Sequence, residues 1–165
     1  MTTDLALPVI DPRGEACDDL LALDPAVLAQ ARFAIIHDLV ALAEDRVSVW
    51  LLSKGKTPGD AEVEGFRLLG LHRQAAQGDA SFNACRETCR ELIYQTNMVK
   101  AATDDAEAAR HVRLAIMVAR HLALFINGKL EVAGLGEFCC SAKGIRSEDA
   151  DRTQGHDFDT TMTTS

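Results

Sequence analysis

Aromatic side chains are scarce in this chain, with one tryptophan, one tyrosine and six phenylalanines among 165 residues. The core must therefore be built from Leu, Ala, Ile and Val, a composition that favours helix over strand. Prolines number only four, and two of them, Pro25 and Pro58, stand where a helix can begin rather than inside one. No apolar run is long enough to cross a bilayer: the best stretch, Leu114 to Ile126, has 13 residues and contains Arg120 and His121, against about 20 needed. The opening Met1-Thr2-Thr3-Asp4 lacks the positive flank and apolar run of a secretory leader. Positive charge is not in excess either. With a net charge of −8, the chain lacks the concentrated basic face that nucleic acid or anionic lipid would require. A cytoplasmic setting is expected, and the five cysteines, an odd number, then read as reduced thiols.

What is present suits one domain with tails. A chain of this size buries roughly two thirds of its unfolded surface, so it needs no metal or disulfide simply to fold. The acidity lies at the ends. Residues 1–25 carry a net −5 and residues 147–165 a net −4, leaving a body of +1. The reading is a lead-in over 1–23, a helical domain over 24–140 and an acidic, Thr-rich tail over 141–165, with disorder expected from about Glu148.

Four helical segments are marked out by their caps. The first, Pro25 to Lys54, opens after Asp24 and closes at Gly55. The second, Pro58 to Gln77, follows a Thr57 cap but contains Gly65 and Gly70, which suit a close approach by a neighbouring backbone. The third, Ser81 to Ala102, carries Phe82, Cys85, Cys89, Leu92, Thr96 and Val99 at alternating spacings of three and four, one narrow apolar seam. The fourth, Asp105 to Ile126, starts with the capping pair Asp104 and Glu107 and ends at Asn127-Gly128. It has one apolar stripe of Val112, Ala115, Ala119, Leu122 and Ile126, and a second of Leu114, Val118, His121 and Phe125. Lys129 to Phe138 reads as a loop or packed strap. The expected fold is all-α, a four-helix-bundle-like single domain. The first helix is apolar on most sides around Trp50, Leu51 and Leu52, which suggests a dimer contact.

Chemistry is weakly marked. Gly55-Lys56-Thr57 resembles the end of a phosphate loop, but Trp50 stands where the first glycine belongs. No glutamate has a histidine three residues on, as inward-facing di-iron sites need. Gly-x-Ser-x-Gly, His-Glu-x-x-His and Gly-x-Gly-x-x-Gly are absent. His37 followed by Asp38 on a polar helix face is the arrangement phosphotransfer needs, a nucleophilic imidazole beside a carboxylate that accepts its proton; it is also what any solvated face looks like. Cys85 and Cys89 fit the seam as packing residues. Together with Cys139 and Cys140, which lie near Lys143 and Arg146, they are the candidates for metal or redox chemistry. His121 on its apolar stripe is a candidate ligand, whereas His72 and His111 read as surface positions. Arg110, Arg113 and Arg120 on the fourth helix, with Arg86 and Arg90 on the third, could form a basic patch for an acidic partner, a nucleotide or the acidic tail.

The expected function is accordingly a non-catalytic interaction protein, a regulator, adaptor or immunity-type factor. Its partner is a second copy or another protein, and Trp50 and the helix-four arginines are its contacts. No cofactor is expected. Phosphotransfer through His37, and small-molecule or metal binding by His121 or the cysteines, are the alternatives.

Overall fold

A computed structural model describes residues 6–134. That stretch is 76% helical with no strand among the described residues, so the all-α class expected from composition and periodicity is observed. The helices are α1 (Ala16–Leu21), α2 (Pro25–Gln30), α3 (Arg32–Ser53), α4 (Arg67–Gly78), α5 (Arg86–Ala101) and α6 (Asp105–Gly134), with a 3-10 turn, Ala80–Cys85, leading into α5. No described helix is long and apolar enough to cross a membrane. One compact unit ends at Asn127 and a second begins at Gly128; α6 is Asp105–Gly134. Cys139, Cys140 and the acidic tail lie outside the described residues.

The core follows the periodicities. All six members of the expected seam, from Phe82 to Val99, are buried. So are Val112, Ala115, Ala119, Leu122 and Ile126 on α6, and Ile35, Leu39, Leu42, Val47, Trp50 and Leu51 on α3. Caps behave as read in two places. Gly55 sits at φ +72 after α3, with Lys56 N–H bonded to the Leu51 carbonyl and Gly55 N–H to that of Leu52, the paired closure of a left-handed helix stop. At the start of α6 the Glu107 N–H donates to Asp104 Oδ1 at 2.7 Å, while the Glu107 carboxylate reaches back to Thr103.

Elsewhere tertiary contacts override the local signals. The expected first helix is broken at Ala31, where Arg32 Nη1 takes the carbonyl of Ala29 (3.2 Å) and reaches Asp105 (3.3 Å). The second helix begins at Arg67, not Pro58. Residues 63–66 make a tight turn with Glu64 and Gly65 both at positive φ, closed by two backbone bonds between Val63 and Phe66. The segment before it lies as a strap across α4: Gln74 binds Thr57 and Gly59, and Arg67 binds the Gly59 carbonyl. Asn127 does not stop α6. Its side chain instead accepts from Arg46 and donates to the Pro12 carbonyl, each at 3.1 Å.

The strap crosses α4 at Gly70, where a Cβ would collide with the carbonyl of Ala61. Backbone on both sides leaves little room for relief. Gly70→Ala is therefore expected to lower stability by about 1–3 kcal/mol in urea unfolding, although alanine is the better helix former by ~1 kcal/mol. Unchanged or increased stability would show that the strap does not press on α4.

Candidate functional site

Two histidines read as surface positions are buried. His72 lies on α4 with Leu68, Leu71 and Ala75, at helical spacings that put it on the apolar face; His111 lies likewise with Ala108, Val112 and Ala115 on α6. The periodicity was there to be read. His111 is held by a relay: its Nδ1–H donates to Gln95 Oε1 at 2.6 Å, Gln95 Nε2 donates to Glu91 at 2.8 Å, and Arg110 Nη2 donates to His111 Nε2 at 3.3 Å.

His72 belongs to a different cluster. Its Nε2–H donates to the Phe82 carbonyl at 2.6 Å, and the Cys85 sulfur, in its protonated form, donates to the same oxygen at 3.2 Å. The 3-10 turn makes this possible: Arg86 N–H bonds back to Asn83, so it does not take up the Phe82 carbonyl. Cys85 is the N-cap residue of α5, and Cys89 follows one turn later. Both thiols are free and buried, and Cys85 shares the Phe82 carbonyl with His72.

The electrostatics divide the pair. The hydrogen bond from Cys89 outweighs burial and, with the His72 imidazole, pulls the Cys85 thiol down to about 5. Cys89 is pushed far the other way, first by its bond to Cys85 and then by burial. The two titrate as one unit, and the deeper sulfur keeps the proton. Burial lowers the pKa of His72, but its bonds to Cys85 and to the Phe82 carbonyl outweigh that and raise it. Cys17, by contrast, is simply buried beside Asp18 and rises to about 11.

Two openings flank the cluster. His72 faces a cleft of about 330 Å³ whose walls include Arg73, Arg86 and Arg90. Cys85 lines a smaller cavity of about 100 Å³ with Ala84, Thr88, His121, Leu122 and Phe125. Thr88 and His121 also line a shallow groove between α5 and α6, with Glu87, Glu91, Leu114, Met117 and Val118.

The other expected residues are dispersed. His37 is exposed, with Nδ1 at 3.3 Å from Asp38 Oδ1, and no third group joins them in the described contacts. Trp50 is buried against Phe82, with Lys54 over its ring, and is not a surface anchor. The arginines of α6 do not act together. Arg113 donates to the Leu21 carbonyl and Arg120 pairs with Asp18, so with Asn127 they clamp the lead-in along α6 at seven-residue intervals. Arg86 and Arg90 turn instead to the cleft with Arg73. Among the described residues, no three His, Cys, Asp or Glu side chains converge as a metal site would. Comparison of the chain with models of known families, with curated proteins and with solved structures finds no match.

The thiolate absorbance of the reduced chain should show a step near pH 5 that is absent from Cys85→Ser and moves up in Cys89→Ala and His72→Gln. A titration that those variants leave unchanged would dissolve the cluster. The sign for stability follows. Because the folded value lies below the ordinary 9.0, Cys85 adds stability that is full above about pH 9 and is lost as the pH falls towards about 5. Cys17 acts oppositely: its stabilisation is present below about pH 9 and is lost towards about 11.

Proposed function

We propose that the protein is a helical interaction protein that pairs with a second copy of itself through the outer face of α5 and α6, in the reducing interior of a cell. One observation carries this reading. Leu114, Met117 and Leu124 are 36%, 52% and 48% exposed, and they fall in one line along α6 beside the groove floored by Val118 and His121. A lone subunit seldom leaves such contiguous apolar surface to water.

The face is self-complementary. Arg110, also exposed, stands one turn before Leu114, and Glu87 borders the groove near His121 at the other end. In a two-fold pair centred near Met117, each α6 runs antiparallel to its copy, which brings the Arg110 end of one over the Glu87 end of the other. The long first helix, from which a dimer contact was expected, has less to offer. Its own chain covers Trp50 and Leu51, while the exposed Phe33 and Leu52 lie at opposite ends of α3.

Sedimentation of the full chain should give a dimer, and Met117→Glu should weaken it on the order of 30-fold or more, the scale of a central hot spot. Leu52→Glu should leave it intact. A wild-type monomer at high concentration would overturn the reading.

A separate observation favours a second reading. Three arginines, Arg73, Arg86 and Arg90, converge on the cleft beside His72 in a chain that is otherwise acidic, and only Arg90 has a described acidic partner, Glu64 at 3.0 Å. Such a cleft suits a small phosphorylated or carboxylated molecule. Calorimetric titration with inorganic phosphate should give saturable, salt-sensitive binding that Arg86→Ala removes. Binding that is unaffected by that variant would count against the cleft.

A further inference from the structure

The thiol cluster is not used by either reading, and its parts are unlike those of an inert packed cysteine. One sulfur, Cys85, caps the start of a 16-residue helix and lines a cavity; a second stands one turn behind it; a buried imidazole, His72, shares the Phe82 carbonyl with the first. The cavity is small, about 100 Å³, so it suits a small molecule better than a large one. His121 forms part of its wall and is itself exposed to solvent.

We propose that Cys85 and Cys89 form a two-thiol redox site that reduces small hydroperoxides, with His72 positioning the Cys85 sulfur and His121 supplying the proton to the leaving oxygen. The Cys85 thiolate attacks the terminal peroxide oxygen. The S–O bond forms as the O–O bond breaks, and the departing oxygen takes a proton from a ring N–H of His121, which bulk water restores. Sulfur loses two electrons and becomes a sulfenic acid, while the peroxide is reduced to an alcohol or to water. The Cys89 sulfur then attacks that of Cys85. An S–S bond replaces the S–O bond, and the hydroxyl leaves as water with the Cys89 proton. Two thiols and one peroxide thus give one disulfide, one alcohol and one water, and a dithiol returns both cysteines to the reduced form by exchange. Residues four apart on a helix have Cα atoms about 6 Å apart, within disulfide range, but Cβ atoms about 5–6 Å apart against the roughly 3.5–4.5 Å a disulfide needs, so the S–S bond forms only as the first turn of α5 opens at Cys85. Cys85 sits at the junction of the 3-10 turn and α5, at φ −94 and ψ 4, the end of the helix where such opening disturbs fewest backbone bonds.

The lowered Cys85 suits the first step, since the thiolate is the attacking form, while the protonated Cys89 must give up its proton as it attacks in the second. The proposal does not depend on self-pairing. Because Thr88 and His121 also border the groove, a copy docked there would close the cavity, so the reaction is measured at a dilution where the chain is monomeric.

The test exploits the sequence. Trypsin cuts after Arg73, Arg86 and Arg90, which puts Cys85 on the peptide 74–86 and Cys89 on the peptide 87–90. Reduced full-length protein is treated with one equivalent of hydrogen peroxide, alkylated and digested. The two peptides are expected as a single disulfide-linked species. In Cys89→Ser, Cys85 should instead be recovered as the adduct of a dimedone sulfenic-acid trap. His121→Gln, at an exposed position the fold tolerates, should slow the reaction about tenfold or more, and the loss should shrink at low pH where solvent protons substitute. Recovery of both peptides as free, alkylated thiols after a large excess of peroxide would overturn the proposal. So would linkage at the same rate in the urea-unfolded chain, since the reactivity would then owe nothing to the folded site.

Discussion

Phe82 ties together parts of the chain that are far apart in sequence, and the candidate chemistry depends on where it holds them. Its ring is fully buried, 5.1 Å from that of Trp50 on α3 and 6.0 Å, edge-on, from that of Phe125 on α6. Its carbonyl gathers His72 from α4 and Cys85 from the start of α5. Each aromatic pair is worth about 0.5–1.5 kcal/mol beyond its burial. In a chain with eight aromatic residues, three meet at this point, so the scarcity noted in the sequence is compensated by concentration.

The division of the surface follows from the same packing. The stripe of α6 that fills the core leaves its neighbour, from Leu114 through Leu124, facing outward with no described segment over it. A third line of α6, Arg113, Arg120 and Asn127, is occupied by the lead-in, which explains why arginines that look like a binding patch in the sequence are structural fasteners. The long charged side chains nearest the cleft, Arg73, Arg86 and Arg90, come from two helices, and no single-helix projection brings them together.

What could be read in advance was what depends on neighbours along the chain. The seam from Phe82 to Val99, the Gly55 stop and the Asp104–Glu107 cap are all local patterns, and each is observed. The spacing of Cys85 and Cys89 was visible as well. The structure departs from the local signals where a distant group intervenes. Arg32 reaching Asp105 accompanies the break at Ala31, Asn127 is drawn to Arg46 and Pro12 instead of capping α6, and residues 57–62 lie across Gly70 instead of forming a first helical turn. His72 and His111 are a different case: both are polar, yet their helical spacing from leucine and alanine neighbours places them inside. The Phe82 carbonyl could not have been foreseen at all, since a backbone acceptor that organises side chains leaves no mark in composition or spacing.

Phe82 gathers an imidazole and a reactive sulfur on one carbonyl, and the imidazole reports on their coupling most directly. Ring resonances of His72, followed by NMR across pH in the reduced full chain and in Cys85→Ser, separate the two possibilities. The account predicts that His72 keeps its proton to a higher pH when the Cys85 sulfur is present than when it is replaced. Identical titration in the two proteins would contradict it, because the histidine and the thiol would then be neighbours without interaction.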